Sequence, residues 1–298
     1  MKRLALSLGA FLRGVYSDRP FPFEACLAHA RESGYEGVEL GARAPHPTPE
    51  SCPTRAQRED VRRALAEAGL TLSGISTNFH GLSPVQHDHQ AYVERFETNL
   101  QFAADLGART FRVDTVTPPE SVAPTDERRG LERLAETWKT CARRASERGV
   151  RVVWEFEPCF AFNKPSQIED VLRAVDEPNF GVLFDTCHAH TVAALGARQT
   201  GDRETLPGGA IELLERLRDW IGAIHVIDTD GSLHDGSTSA HLPLGAGVLD
   251  FDALVPALLK CGAPTDWWCV DLCFCPTAWE SAGPCKNTLA ALLAKYER

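Results

Sequence analysis

Several common sequence features are missing from this chain of 298 residues. No apolar run approaches the roughly 20 residues that a transmembrane helix needs. The N-terminal segment MKRLALSLGAFLRGVY has two basic residues and an apolar run, but Gly9, Arg13 and Gly14 interrupt it and no small-residue cleavage site stands out. We therefore expect a first β-strand here instead of a signal peptide, and a cytoplasmic protein without membrane contacts.

An excess of positive charge is also missing, since the formal net charge is −10 at pH 7. A polyanion would be repelled by such a chain, so we expect no nucleic-acid partner. Acidic residues instead suit a cation site and uncharged substrates.

The ten cysteines form no CxxC pair. Disulfide frameworks are typical of short secreted chains, and cysteine-based zinc sites usually use closely spaced pairs. We therefore expect mostly reduced, buried cysteines that pack as small apolar residues.

Short apolar runs alternate with amphipathic stretches along the chain. The predicted strands are residues 3–10, 37–41, 71–78, 110–115, 150–157, 180–186, 223–228 and 268–274. Their continuous apolar character indicates strands that are covered on both faces. Helices predicted at residues 23–33, 55–68, 89–106, 127–148 and 254–261 are each followed by glycine, which readily ends a helix.

This alternation predicts parallel strands joined by crossover helices. Eight such units fit one (β/α)8 TIM barrel spanning residues 1–298 as a single domain. A doubly wound sheet is the alternative, but no GxGxxG or GKS/T loop follows any predicted strand. Residues 196–209 and 229–247 are predicted polar loops over the barrel mouth, and the second could act as a lid.

Four acidic or histidine residues end separate predicted strands: Glu155, Asp185, His225 and Asp271. Strand ends of a barrel converge on one face, where active sites lie. Charged groups beside a core are costly unless they are paired, hydrogen-bonded or bound to metal. Three carboxylates and an imidazole can hold a divalent cation. The alternative is that each acid caps a helix or pairs with an arginine.

Other polar residues follow the strands. His188 lies three residues after Asp185 and could bind a substrate oxygen or the metal, whereas Asp228, three beyond His225, could orient an imidazole or bind a hydroxyl. Further candidates for hydrogen bonds to a polyol are Glu39, Asn78, His80, Asp114, Asn163 and Lys164.

The motifs VVWEFEP, NFGVLFDTCHAH, IHVIDTDG…HLPLGAGVLDF and CVDLCF resemble the sugar isomerase/epimerase superfamily of xylose isomerase-like TIM barrels. The likeness is strongest to inosose isomerases and ketose 3-epimerases, and it is clearest over residues 150–274. It implies that Glu155, Asp185, His225 and Asp271 bind one divalent ion per chain (Mn, Co, Mg, Fe or Zn). It also implies that His188 contacts substrate and that the chain forms a dimer or tetramer.

Glu155 and Glu157 are two residues apart on a predicted strand, so their side chains point to the same face. Strand alternation therefore does not show which of them binds the metal. The family's pattern favours Glu155. Two departures from the family stand out: Asp271 replaces the usual Glu, and His241 stands where an arginine often precedes the GxG stretch. The predicted substrate-binding residues are Asn78, Glu157, Asn163, His188, Asp228 and His241.

The resemblance implies a metal-dependent isomerase or epimerase acting on a ketose, an inosose or another small sugar or cyclic polyol. Glu155 would remove the proton beside a carbonyl to give an enediolate, Asp271 would return one, and His188 would assist. The alternative is a lyase on the same site, such as an inosose or dehydroshikimate dehydratase or a 3-keto-glycoside-eliminating enzyme. An abasic-site endonuclease is disfavoured by the net charge and by only ten histidines, while a non-catalytic binding protein would have lost its ligands.

Overall fold

The computed structural model describes residues 2–77, 79, 81–86, 88–123 and 125–297. Within these residues, eight parallel strands form a closed barrel in chain order. The strands are β1 (Arg3–Ser7), β2 (Gly37–Leu40), β3 (Thr71–Ser76), β4 (Thr110–Val113), β5 (Arg151–Glu155), β6 (Phe180–Asp185), β7 (Ile221–Val226) and β8 (Trp267–Val270). The predicted single-domain TIM barrel is confirmed.

Helices follow the strands around the outside of the barrel. In the described residues they are α1 (Phe23–Glu32), α2 (Arg55–Glu67), α3 (His89–Leu106), α4 (Glu127–Ser146), α5 (Pro165–Val175), α6 (Thr186–Ala193), α7 (Gly209–Leu217), α8 (Phe251–Lys260) and α9 (Ala278–Tyr296). The five predicted helices are all present, with ends shifted by up to three residues. The predicted polar loop at residues 196–209 is cut short, because α7 starts at Gly209.

The core lies between the barrel and its helices. All six residues of β6 are buried, as expected of a strand covered on both faces. On α4, the apolar face that packs inward includes Leu134, Trp138, Cys141 and Ala145. The indole N–H of Trp138 donates to the Tyr92 hydroxyl at 3.1 Å, so burial leaves neither polar atom unpaired.

Local signals set where the helices begin and end. Thr54 and Gln57 form a reciprocal capping box at the start of α2. Gly107 ends α3 in the left-handed conformation, with φ of 82°, and its N–H bonds back to the last turn. In the part of the chain that the structure describes, no helix has the length and apolar character needed to cross a membrane.

Candidate active site

A cavity of about 230 Å³ opens at the C-terminal ends of the strands. Small-molecule sites are clefts or cavities of this kind at the C-terminal face of a TIM barrel. The charged and histidine side chains that line it include Asp114, Glu155, Glu157, His188, His241 and Asp271.

Glu155, Asp185, His225 and Asp271 meet at one point, and we call them the four-residue cluster. They come from four neighbouring strands or strand ends, β5 to β8, and each is at most 6% exposed. One ligand atom from each lies within 4.8 Å of the others. The Nδ1 atom of His225 is 3.2 Å from Oε1 of Glu155, 3.9 Å from Oδ2 of Asp185 and 3.7 Å from Oδ2 of Asp271.

Three of these atoms are buried and form no well-aligned hydrogen bond among the described residues: Glu155 Oε1, Asp185 Oδ2 and His225 Nδ1. The first and the third contact each other at 3.2 Å as an ion pair. Buried polar atoms that share one focus and lack partners are costly unless a ligand uses them. Carboxylate oxygens and an imidazole nitrogen are suitable donors for a divalent cation. The donor set therefore fits the metal site predicted from the sequence.

Glu39 on β2 fixes the orientation of the His225 ring. Its Oε2 atom lies 3.1 Å from Nε2 of His225, and its other oxygen accepts from Ser76. If Nε2 donates to Glu39, the lone pair of Nδ1 faces the cluster, as metal-binding histidines require. Burial alone would lower the pKa of His225, but the surrounding Glu39 and Glu155 raise it well above its usual range, so a bound cation would take the place of the proton on Nδ1.

Arg112 on β4 links two acids of the cavity. One terminal nitrogen of its guanidinium contacts Glu155 and the other lies 3.3 Å from Oδ2 of Asp114. Burial would raise the pKa of Glu155, but Arg112 and His225 hold it well below its ordinary value. Burial raises the pKa of Asp114 to about 7 despite Arg112. The arginine thus keeps Glu155 ionised inside the barrel.

Asp185 is also the N-cap of α6. Its Oδ1 atom accepts from the backbone N–H groups of Cys187 and His188 at 2.8 and 2.9 Å, which leaves Oδ2 directed at the cluster. Aspartate is a favoured cap because it satisfies free N–H groups of the first turn. Burial raises the pKa of this carboxyl. The DTCH motif therefore places an acid and His188 at one strand end.

The loop after β7 covers the cavity through two hydroxyl residues. Ser239 Oγ lies 2.9 Å from Nδ1 of His188, and Thr238 donates to Glu157 at 2.7 Å. The Nε2 atom of His188 is 3.9 Å from Oε2 of Glu157. The predicted covering loop is thus tied to two of the predicted substrate-binding residues. Glu157 is not part of the four-residue cluster, but it forms another metal-competent group with Glu155 and His188.

His241 comes from the same loop and reaches the cluster. It is 4% exposed, and neither ring nitrogen has a hydrogen-bond partner among the described residues. Its Nδ1 atom lies 3.9 Å from Oδ2 of Asp271, and its ring centre is 5.0 Å from that of His188. Burial and the nearby His188 lower its pKa well below the usual range. A neutral imidazole here can donate to or accept from a substrate hydroxyl.

Two of the predicted substrate-binding residues are placed elsewhere. The Asp228 carboxylate accepts from the backbone N–H groups of Thr229, Gly245, Gly247 and Leu249 at 2.9 to 3.1 Å. The Asn163 amide donates to the Pro158 carbonyl at 2.8 Å. Neither residue is among those that line the cavity, so no contact in the structure supports the predicted role of either in substrate binding. Asn78 lies outside the described residues, as does His80, the other candidate that follows β3.

Sequence reasoning missed two arginines of the cavity, Arg13 and Arg112. A charged residue within the apolar run TFRVD was the available signal for Arg112, because a strand interior seldom tolerates an unpaired charge. Glu39 was named as a candidate, but its contact with His225 was not foreseen.

Comparison with known proteins is consistent with this architecture. The model for xylose isomerase-like TIM barrels matches residues 27–273. The chain belongs to this family. The rhizopine catabolism protein MocC of Rhizobium meliloti is 26% identical over 176 residues, 56% of this chain and 50% of that protein. That match therefore spans about half the length of the curated relative.

Several solved structures share the fold of this chain at low sequence identity. An L-ribulose 3-epimerase has a TM-score of 0.73 and 17% identity, covering 100% of this chain and 96% of that chain. The IOLI protein with a bound zinc atom has a TM-score of 0.72 and 18% sequence identity, and the match covers 99% of each chain. The probable 3-DHS dehydratase AsbF of Bacillus anthracis has a TM-score of 0.72 and 17% sequence identity, and the match covers 97% of this chain and 99% of that chain.

Proposed function

We propose that this protein is a divalent-metal-dependent isomerase or epimerase that acts on a ketose or an inosose. The observation that carries the proposal is the shared focus of three buried atoms that make no well-aligned hydrogen bond within the described part of the chain, Glu155 Oε1, Asp185 Oδ2 and His225 Nδ1. Asp271 completes the donor set. The zinc atom of the IOLI structure supports a metal, and the epimerase among the similar structures supports carbohydrate chemistry.

A bound divalent cation would polarise a substrate carbonyl as a Lewis acid. Glu155, kept ionised by Arg112, takes the proton from the carbon beside the carbonyl. The electron pair left on that carbon moves toward the carbonyl oxygen and gives an enediolate. Asp271, which ends the strand three positions around the barrel from Glu155, returns a proton to the other side of the carbon.

Substrate oxygens are assigned to the histidines above the cluster. His188 is held by Ser239, so its Nε2 atom faces the cavity. His241 has two ring nitrogens without hydrogen-bond partners among the residues described, and its imidazole adds a further contact. Glu157 is fixed by Thr238 at the side of the same cavity. We propose that these three side chains orient a small polyol, in a chain that forms a dimer or tetramer.

A lyase on the same site is the second candidate. Removal of the same proton followed by loss of a neighbouring hydroxyl would give a dehydratase, and a dehydratase is among the similar structures. Asp271 in place of the family's usual glutamate is compatible with a changed second proton transfer. The product distinguishes the lyase from the epimerase, because an enone absorbs strongly in the ultraviolet and an epimerised sugar does not.

The decisive experiment is elemental analysis of the purified protein beside Asp185→Ala and His225→Ala, followed by reloading with Mn²⁺, Co²⁺, Mg²⁺, Fe²⁺ or Zn²⁺. The control is Asp235→Ala, an exposed acid whose partner His234 is also partly exposed. We expect about one ion per chain in wild type and control, and loss in both cluster variants. The loaded protein should incorporate deuterium from D₂O into ketoses or inososes. A wild-type protein that neither contains nor takes up metal would contradict the proposal.

A further inference from the structure

Arg13 is a cationic residue of the cavity that the proposed function does not use. It directly follows a short 3₁₀ helix (Leu8–Leu12), which continues from the end of β1. The guanidinium carbon of Arg13 lies 5.9 Å from the centre of the Phe274 ring, and both residues line the cavity. An aromatic face attracts a cation at this distance. Contact with Phe274 therefore holds a partly buried positive charge at the wall of the cavity.

The two arginines of the cavity differ in their partners. Arg112 contacts Glu155 and lies 3.3 Å from Oδ2 of Asp114. Arg13, by contrast, makes no ion pair and no side-chain hydrogen bond to a residue that the structure describes. A guanidinium has five N–H donors in a planar fork, which matches the two oxygens of a carboxylate. The donors of Arg13 are thus available to an anionic group of a ligand.

The charges around Arg13 favour a carboxylate over a phosphate. Glu155, Glu157 and Asp114 line the same cavity, and Arg112 is already shared between two of them. One unshared arginine balances one negative charge, whereas a phosphate monoester carries close to two at neutral pH. The net charge of −10, which suggested uncharged substrates, describes the whole chain and not this part of the cavity.

The order of the strands determines where an anion on Arg13 would lie. In the closed barrel β1 pairs with β8 and lies opposite β5. Asp271 directly follows β8 and Glu155 ends β5, whereas Arg13 follows β1. A substrate whose reacting carbon lies between Glu155 and Asp271 can therefore extend past Asp271 toward Arg13. The anionic group and the reacting carbon would be at different ends of one small molecule.

We propose that Arg13 binds a carboxylate of the substrate, so that this protein acts on a keto sugar acid in preference to a neutral sugar. The inference rests on the proposed function and narrows its substrate class, because proton transfer by Glu155 and Asp271 stays the same. Arg13 contacts the substrate and transfers no proton. Its contribution is to binding and orientation, through charge-assisted hydrogen bonds to both carboxylate oxygens.

The test compares three ketohexoses that differ only at carbon 6: D-fructose, D-fructuronate and D-fructose 6-phosphate. A neutral cyclic probe, 2-keto-myo-inositol, is measured beside them. Deuterium incorporation from D₂O, followed by mass spectrometry with metal supplied, gives kcat and KM for each probe. For wild type we expect kcat/KM for D-fructuronate to exceed that for each other probe by about 10-fold or more. Added salt should reduce this preference, because it screens a partly exposed charge pair.

Substitutions at Arg13 separate its charge from its packing. Arg13→Met keeps an unbranched chain beside Phe274 and removes the charge. Its loss of kcat/KM should be greater for D-fructuronate than for D-fructose by about 10-fold or more, mainly through KM. Arg13→Lys keeps the charge and should recover part of the preference. Calorimetry should show the same order of D-fructuronate affinities in the metal-loaded proteins.

The matched control is Arg128→Met. Arg128 is an exposed arginine of α4 that pairs with Glu132 at 3.0 Å, and it does not line the cavity. Its kcat and KM should match wild type for every probe.

A wild-type protein that exchanges a neutral probe or D-fructose 6-phosphate at least as well as D-fructuronate would overturn this inference and leave the proposed function standing. An equal loss for D-fructuronate and D-fructose in Arg13→Met would also overturn it, since Arg13 would then only support the loop after β1. A wild-type protein that incorporates deuterium into none of the probes would overturn the proposed function, and this inference with it.

Discussion

The Nε2 atom of His225 lies 3.1 Å from Oε2 of Glu39, and this contact turns the opposite ring nitrogen toward the three carboxylates of the four-residue cluster. The two residues are 186 positions apart in the chain. Glu39 therefore belongs to the site without contributing a ligand atom to the cluster.

Glu39→Gln should weaken metal binding by about 10- to 100-fold, because an amide orients the imidazole less strongly and lowers its basicity. Affinity is measured by competition with a chelator of known strength. Glu36→Gln is the matched control, since Glu36 is an exposed acid near the same strand and pairs with Arg3 at 3.4 Å. Equal affinities in the two variants would show that Glu39 does not support His225.

Asp271→Asn should separate proton removal from proton return. The amide keeps the size of the side chain and can still accept from the Cys273 N–H, but it cannot deliver a proton. At saturating metal, we expect epimerisation to fall by about 100-fold or more, and deuterium incorporation to fall less. Asp252→Asn, an exposed residue paired with Lys295, should behave as wild type. An unchanged epimerisation rate would exclude Asp271 as the second proton-transfer group.

Asp228→Ala should destabilise the protein because four backbone N–H groups lose their acceptor. Hydrogen bonds to a buried charged group are stronger than average, so we expect a loss of about 2–4 kcal/mol in the free energy of unfolding. Urea unfolding measures it. Asp230→Ala is the control in the same loop, since Asp230 is exposed and accepts from Ser232. Similar losses for both variants would argue against this role for Asp228.

His46→Gln should reduce the sensitivity of stability to acid. Burial lowers the pKa of His46, whose Nε2 atom lies 3.0 Å from the Phe21 carbonyl. The unfolded chain therefore binds a proton at a pH where the folded protein does not, and His46 removes stability as the pH falls below about 6.5. Urea unfolding at pH 7.5 and 5.5 should show a smaller loss for the variant than for wild type. Equal losses would refute the assignment.

Much of the barrel could be predicted because β6 and its neighbours are short continuous apolar runs. Helices α6 and α9 were harder to predict. The helix α6 starts directly at Thr186 after β6 without an intervening turn, and α9 carries Pro284 in its interior. Turn residues usually separate a strand from the next helix, and none stands before α6. A proline usually marks the end of a helix, and in α9 it does not.

The cluster could be predicted because its residues lie at the ends of neighbouring strands. Such ends converge in a barrel regardless of the conformation of the loops that follow. The roles of Asp228 and Arg112 depend on contacts that a linear pattern does not encode. Asp228 follows the end of β7 by two residues, and the chain returns 17 residues later and places the Gly245 N–H on its carboxylate. Arg112 becomes a partner of Glu155 only once β4 pairs with β5.

The loop from residue 229 to 247 is joined to the barrel at its base through Asp228, while its middle carries Thr238, Ser239 and His241. The two ends are therefore fixed independently of the side chains that face the cavity. New residues could be introduced between positions 232 and 241 while Asp228 keeps the ends in place and β5 to β8 keep the cluster. If the proposed function holds, changes to this one short stretch of chain should alter which small molecules the cavity accepts, and a library randomised there would test this.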